Sequence, residues 1–256
     1  RRLVDAFAVW RPASALRTIT EPRLFDLFPF LVTGPPEDVL PQLCRHLTGA
    51  VAADAVPGIR FRNPGGDIVD TPQPPAALFA NRPAPDFTGF NFEHLFSDPK
   101  RLDLPFQTST GCRHGACAYC MTEVHRQGAH AALDPSTAVS HLRSVMTTTG
   151  AASFRLSDAA MEASQAAGFA KALLDNGVIA TWNASVRPDR NFTYEVCELM
   201  RAAGCINLEA GVEILDDAAL EQLGRGLTVA DMETALTIMA ANGFTVNAHM
   251  IYGLPG

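Results

Sequence analysis

From about residue 104 onward, segments in which apolar residues alternate with polar ones are separated by apolar stripes at helical spacing. The alternating segments predict five strands. They span residues 104–109, 152–157, 178–186, 206–212 and 244–251. Strands that alternate with helices are typical of a parallel sheet, because parallel neighbours need a long crossover connection.

Capping residues mark the helices between these strands. Asp134-Pro135 predicts the start of a helix that runs to about Thr148. Gly204 predicts the end of a second helix, and Thr228 predicts the start of a third. The apolar stripes of these last two helices are interpreted as core packing: Val196, Leu199, Met200 and Ala203, then Met232, Ala235, Leu236, Met239 and Ala240.

Three of the predicted strands carry polar side chains on one face. These residues are Thr181, Asn183, Ser185 and Arg187, then Asn207, Glu209 and Glu213, then Thr245, Asn247 and His249. Parallel strands covered on both sides are normally apolar on both, and a closed barrel fills its centre with branched apolar side chains. The pattern therefore predicts an opened barrel lumen around a polar ligand, with the apolar faces packed on helices.

Residues before 104 follow a different pattern. An acidic start after Gly34 predicts a helix to about Leu47, and the segment 58–69 predicts a hairpin that turns at Asn63-Pro-Gly-Gly66. A proline-rich linker follows from Thr71.

Composition narrows the class of protein. A hydrophobic content of 47% with 18% charged residues is that of a well-buried globular protein. The net charge of −7, without a basic block, argues against a nucleic-acid partner, and no apolar run reaches the ~20 residues that span a bilayer. Without a signal peptide, we expect a cytoplasmic protein. A start without methionine and an end directly after a strand predict a fragment.

Three of the six cysteines form a C-x4-C-x2-C run at Cys112, Cys117 and Cys120, directly after the first strand. An odd number of thiols cannot close into disulfides internally. Tetrahedral zinc needs four ligands, and no second cysteine or histidine pair with metal-ligand spacing is present. An iron–sulfur cube held by three thiolates fits best. Zinc with a distant fourth ligand and purely structural thiols remain as alternatives.

The other three cysteines, Cys44, Cys197 and Cys205, are scattered along the chain. We expect them to be buried as small hydrophobic side chains.

The cysteine run resembles that of the radical S-adenosylmethionine (SAM) superfamily, with one residue more in the first gap than the commonest family spacing. The resemblance implies that Cys112, Cys117 and Cys120 bind a 4Fe–4S cluster whose open iron chelates SAM. It also implies that Tyr119, directly before the last cysteine, lies near the adenine. The implied fold is an incomplete parallel (β/α)6 barrel, and the implied reaction is cleavage of SAM to a 5′-deoxyadenosyl radical.

The same resemblance implies further contacts to SAM. Asp158 follows the second strand and would accept from the SAM ammonium. Arg187 would suit the carboxylate, or alternatively form a surface pair with Asp189. Glu213 matches a family motif near the methionine or ribose end, and Gly253 would let the backbone approach the adenine.

Two histidines have less specific interpretations. His249 lies on the polar face of the fifth strand, where it either meets substrate or is a satisfied core histidine. His114 lies inside the cysteine loop and is either a loop residue or a neighbour of the cluster. No catalytic residue is assigned.

The order of segments before the barrel resembles the superfamily branch with an N-terminal cobalamin-binding-type Rossmann domain. This implies a remnant of that domain at 1–55, a hairpin and linker at 56–103, and a barrel at 104–256 truncated after strand five. The branch's cobalamin-ligating Asp-x-His-x-x-Gly motif is absent from these residues, so cobalamin is a possible cofactor only.

The implied function is therefore a radical SAM enzyme, with C-methylation of a secondary metabolite or peptide as the first hypothesis. The resemblance also implies a reducing partner such as flavodoxin or ferredoxin. A non-methylating epimerase, cyclase or oxidoreductase is the alternative within the class. A zinc-stabilised α/β binding protein is the alternative outside it.

Overall fold

The computed structural model describes residues 7–8, 23–34, 36–73, 79–92, 102–120 and 130–253. The chain divides into two compact units. The first comprises Arg1–Ala77 and Cys120–Gly128, and the second comprises Leu78–Tyr119 and Ala129–Gly256. In the described residues, no helix has the length and apolar character needed to cross a membrane.

The first unit contains a four-stranded sheet in the order β1-β2-β3-β4. Its strands and helices are β1 (Phe7–Ala8), α1 (Leu24–Leu27), β2 (Phe30–Val32), α2 (Pro36–Leu47), β3 (Ile59–Arg62) and β4 (Ile68–Asp70). β1 and β2 are parallel, whereas β2, β3 and β4 are successively antiparallel. Helix α2 has the predicted bounds, with Glu37 and Asp38 in its first turn, where carboxylates complement the helix dipole.

The predicted hairpin is confirmed as β3 and β4, which turn at residues 63–66. A bidentate pair between Arg60 and Asp70, at 2.6 and 2.7 Å, joins the two strands. The hairpin does not belong to a linker, however. Backbone pairing of β2 with β3 continues the sheet of the first unit, and Ile59 and Phe61 are buried in its core. The first compact unit therefore includes this hairpin and extends to Ala77 before the chain enters the second unit.

The second unit is built on a five-stranded sheet in the order β5-β8-β9-β10-β11, which confirms the predicted parallel α/β fold. These strands are β5 (Asp103–Phe106), β8 (Ser153–Leu156), β9 (Thr181–Val186), β10 (Cys205–Glu213) and β11 (Thr245–Met250). The helices between them are α3 (Pro135–Thr149), α4 (Ala163–Asp175), α5 (Tyr194–Ala202), α6 (Asp217–Gln222) and α7 (Val229–Ala241).

The predicted division of β9 into two faces is confirmed. Trp182, Ala184 and Val186 are buried, whereas Asn183 and Ser185 are partly exposed on the other face. Because strand side chains alternate, the buried set lies against the helices. Trp182 donates from its indole nitrogen to the backbone oxygen of Ala203 at 2.9 Å, so its polar atom is satisfied inside the core.

Alternation assigns Ile206 to the apolar face of β10, and Ala248, Met250 and Tyr252 to that of β11, yet all four are exposed, as is Ala240 in the predicted stripe of α7. Ile206 is exposed because a register shift between Cys205 and Asn207 moves it out of the apolar face of β10. Met250 is exposed at the end of β11, the strand at one edge of the sheet among the described residues. Cys44 is exposed on α2, whereas Cys197 and Cys205 are fully buried as predicted.

The turn from α5 into β10 requires glycine. Gly204 has φ +90°, and a Cβ there would lie 2.0 Å from the backbone oxygen of Ala180. No side chain fits that distance, so this turn confirms the predicted helix end at Gly204.

Candidate functional site

The cysteine loop begins just beyond the carboxyl end of β5. A short strand β6 (Ser109–Thr110) leads into it and pairs antiparallel with β7 (Ala131–Ala132). Carboxyl ends of parallel strands are where ligand sites lie in barrels and open α/β sheets. The sheet therefore places the first cysteines at the end of the unit where a site is expected.

Asp158 fixes the segment that leads from β5 into the cysteine loop. Its Oδ1 accepts from the backbone N–H groups of Thr108 and Ser109, both at 2.8 Å. Its Oδ2 accepts from the Thr108 hydroxyl and, at 3.4 Å, from Gln165 Nε2. The aspartate is only 3% exposed. Its buried hydrogen bonds therefore connect the segment after β8 to the start of the cysteine loop.

This arrangement changes the interpretation of Asp158. Burial raises the pKa of its carboxyl above the usual range, and the hydrogen bonds from Thr108 and Ser109 oppose that rise. A carboxylate offers about four acceptor positions, and the four contacts use them. The carboxylate therefore supports the loop, and it has little acceptor capacity left for a ligand ammonium.

A turn between α6 and α7, residues 223–226, contacts the cysteine loop closely; we call it the arginine turn. The Ala118 N–H donates to the backbone oxygen of Leu223 at 2.9 Å. His114 Nε2 lies 2.7 Å from the backbone oxygen of Gly224 and must donate, since a carbonyl only accepts. A Cβ on Gly224 would lie 2.8 Å from the Ala116 oxygen. Glycine is needed for this approach.

Arg225 is the centre of the arginine turn and is 7% exposed. Its Nη1 donates to the sulfur of Cys117 at 3.6 Å, and its Nη2 donates to the backbone oxygen of Gly211 in β10. Its own backbone oxygen accepts from Arg187 Nη2. The side chain of Arg225 thus connects a candidate metal ligand to strand β10, and its backbone oxygen contacts the residue after β9.

The two arginines form a concentration of positive charge. Burial lowers the pKa of Arg187, and the charge of Arg225 lowers it further. Among the ion pairs of the described residues, neither guanidinium has a carboxylate partner, and the Nε atoms of both are buried without a hydrogen bond. Arg187 therefore does not form the alternative pair with Asp189. Buried cations without a carboxylate at ion-pair distance favour an anionic ligand at this place.

Glu213 and Tyr119 lie close to the same guanidinium. Glu213 ends β10 at φ +71°, a left-handed conformation that is uncommon for a residue other than glycine. Burial raises the pKa of Tyr119, Arg225 lowers it, and Glu213 raises it. Strained backbone of this kind clusters at functional sites and costs about 1–3 kcal/mol.

Not all predicted site residues are brought together. Cys120 is partly exposed and is grouped with the first unit, whereas Cys112 and Cys117 belong to the second. Across the described residues, no three His, Cys, Asp or Glu side chains form a group that could hold a metal ion. Gly253 has φ +80° and open space around it. The other residues of its motif, 254–256, lie outside the described residues.

A polar network covers one face of β10 and β11. His249 Nε2 donates to Glu209 Oε2 at 3.0 Å, and Asn247 Nδ2 donates to Glu209 Oε1 at 3.0 Å. Asn207 Nδ2 also donates to Glu209 Oε1. Hydrogen bonding from Asn247 lowers the pKa of Glu209. His249 thus has a carboxylate partner but an exposed ring, so the core-histidine interpretation is wrong. Contact with a substrate stays a prediction.

Sequence reasoning missed Arg225. The residue lies between two glycines, Gly224 and Gly226, after a short helix. That local pattern could have marked a turn but not its partner, because Cys117 is 108 positions away.

A family model and a curated relative both match this chain. The family model described as Radical SAM superfamily matches residues 106–256, more than half of the chain. The anaerobic magnesium-protoporphyrin IX monomethyl ester cyclase of Rubrivivax gelatinosus is 24% identical over 232 residues, covering 88% of this chain and 41% of that protein.

Two solved structures share the fold. The cobalamin-dependent SAM radical enzyme OxsB, with aqua-cobalamin bound, superposes with a TM-score of 0.76 at 19% identity, covering 96% of this chain and 36% of that one. The radical SAM methyltransferase TsrM from Kitasatospora setae, with tryptophan and a SAM analogue bound, gives 0.71 at 17%, covering 91% and 47%. The chain spans less than half the length of each of these relatives.

Proposed function

The chain belongs to the radical SAM superfamily, and we propose that it is the cluster- and SAM-binding part of a cobalamin-dependent C-methyltransferase acting on a secondary metabolite or peptide. Membership makes it part of an enzyme and implies a 4Fe–4S cluster and SAM as cofactors. Such a cluster supplies the electron that cleaves SAM reductively, so the protein's task is to bind and position.

One observation carries the assignment of the site. Arg225 donates to the sulfur of Cys117 inside a family match that begins at the end of β5. A guanidinium is a suitable neighbour for sulfur that carries negative charge, the form that binds iron. Together with the unpartnered Nε atoms of Arg187 and Arg225, this contact supports an anionic, thiolate-bound cluster beside Cys117. We assign Cys112, Cys117 and Cys120 as its ligands.

The other residues receive roles consistent with their contacts. Arg187 and Glu213 border the charge of Arg225 and are proposed to bind the carboxylate and the methionine or ribose end of SAM. Tyr119 and Gly253 are proposed to lie near the adenine. Asp158 is proposed to hold the start of the cysteine loop through its hydrogen bonds. It is not proposed to bind the SAM ammonium, because its acceptor positions are already used.

The cluster assignment is tested by anaerobic reconstitution with iron and sulfide. We expect four irons per chain, an EPR signal after dithionite reduction that shifts on adding SAM, and formation of 5′-deoxyadenosine. Cys112→Ala, Cys117→Ala and Cys120→Ala should each lose all three. Cys44→Ala, at an exposed thiol outside the loop, is the matched control and should retain them. A colourless protein with about one zinc would refute the proposal in favour of a structural zinc site.

Methyl transfer and cobalamin are supported by the fold neighbours, one of which is a cobalamin-dependent SAM radical enzyme and the other a radical SAM methyltransferase. Reconstitution with hydroxocobalamin, followed by gel filtration and absorption spectroscopy, tests the cofactor. With SAM carrying a deuterated methyl group, a methyltransferase gives a product heavier by the labelled methyl. We expect both results with the longer protein, since this chain spans only part of its relatives.

A second candidate is supported by the curated relative, which is a cyclase. A cyclase or oxidoreductase would form 5′-deoxyadenosine without S-adenosylhomocysteine and without label in the product. Quantifying both nucleosides in one reaction therefore separates the two candidates.

A further inference from the structure

Arg225 carries a buried charge that belongs to no ion pair among the described residues. Two of its nitrogens donate to Cys117 Sγ and the Gly211 oxygen, and its Nε has no partner. Removing a charge of this kind from water costs several kcal/mol. An apolar side chain at this place would avoid the free-energy cost of removing that charge from water.

We propose that Arg225 is a positioning residue that donates a hydrogen bond to the Cys117 sulfur of the cluster and thereby raises its reduction potential. The inference rests on the proposed function, because it requires Cys117 to be a cluster ligand. Neither the cysteine pattern nor the assignment of SAM contacts includes this residue. The arginine turn around it presents the guanidinium to the cysteine loop.

The direction of the effect follows from charge. One-electron reduction adds negative charge to the cluster and its sulfurs. A hydrogen bond to a ligating sulfur and a nearby cation stabilise the reduced form more than the oxidised form. Since Cys117 is only 6% exposed, water screens this interaction poorly. Loss of Arg225 should therefore make the cluster harder to reduce.

The contacts also explain why arginine suits this place better than lysine. The planar guanidinium donates in two directions from one rigid group, to Cys117 and to Gly211. An ammonium is a single point of charge. Arg225→Lys should consequently keep part of the electrostatic effect and lose the fixed geometry.

The test is an EPR-monitored redox titration of the reconstituted protein, with dithionite supplying the electron. For Arg225→Gln we expect the equilibrium constant for reduction to fall at least about tenfold, which corresponds to about 59 mV for a one-electron couple. Arg225→Lys should give a smaller fall. Arg190→Gln is the matched control, because Arg190 is exposed and pairs only loosely with Asp231 at 3.8 Å. It should leave the potential unchanged.

A second measurement needs no substitution. Wild-type protein labelled with 15N-arginine should show a weak 15N coupling to the reduced cluster in pulsed EPR, and its absence would overturn the inference even if every Arg225 variant failed to fold. An intact cluster with an unchanged potential in Arg225→Gln would also overturn it. Failure of the wild-type protein to form any cluster would instead refute the proposed function, so the two failures are distinguishable.

Discussion

Replacement of Asp158 should lower the free energy of unfolding of the second unit, and the hydrogen bonds of its carboxylate determine by how much. Asp158→Ala removes the acceptor of the Thr108 and Ser109 backbone N–H groups, which are buried and bonded at 2.8 Å. A buried donor left without a partner costs about 1.5 kcal/mol. The two donors together give a loss of about 3 kcal/mol in the free energy of unfolding.

Asp158→Asn should cost much less. The asparagine Oδ1 can still accept from both N–H groups, and a neutral side chain is favoured where burial already raises the pKa of the aspartate. The new amide would face Gln165, whose Oε1 is buried without a partner and could accept from it after an amide flip. We expect a loss of about 1 kcal/mol, as for exchanging charge-assisted for neutral hydrogen bonds.

The assay is thermal and urea unfolding followed by circular dichroism. For a unit of this size, 3 kcal/mol corresponds to a fall in Tm of roughly 6–12 °C. Asp175→Ala is the control, because its carboxylate pairs with Lys171 on the surface and should contribute under about 1 kcal/mol. Equal losses of unfolding free energy in Asp158→Ala and Asp158→Asn would refute this role of Asp158, since only the alanine variant leaves the backbone N–H groups without an acceptor.

Three further predictions follow from glycine geometry, charge and thiol burial. Gly204→Ala should abolish soluble folded protein, because its Cβ would overlap a backbone oxygen. Gly150→Ala, with open space at φ +74°, should lower the free energy of unfolding by only about 1–2 kcal/mol. Similar yields of soluble protein from the two variants would contradict this. The lowered pKa of Glu209 adds stability that is present above its unfolded value of about 4.3 and is lost as pH falls through the folded value. The stability difference between wild type and Glu209→Gln should therefore shrink on acidification, and a constant difference would argue against it. In native-state alkylation read by mass spectrometry, Cys44 should react readily and Cys197 should not, because burial raises the pKa of Cys197 to about 11; equal labelling would oppose the assigned burial.

Local patterns predicted the elements of the barrel well, because those elements are set by neighbours in sequence. The helix from Thr228 forms as expected, with the threonine hydroxyl accepting from the Asp231 N–H at 3.1 Å. The two faces of β9 and the hairpin at residues 63–66 follow from alternation and turn chemistry. The wrong burials were decided by events that alternation does not encode, such as the register shift beside Ile206.

The sequence by itself determined the parallel sheet, the cysteine run and the family, since periodicity, capping and ligand spacing are local properties of the chain. Only the tertiary structure decided which distant residues meet those cysteines. Asp158 lies 50 positions from Thr108, and Arg225 lies 108 positions from Cys117. Such pairs are made by the sheet, which brings the carboxyl ends of successive strands to one edge. The charge around the candidate cluster is therefore a property of the fold, because no stretch of the sequence contains both the sulfur and the guanidinium that contacts it.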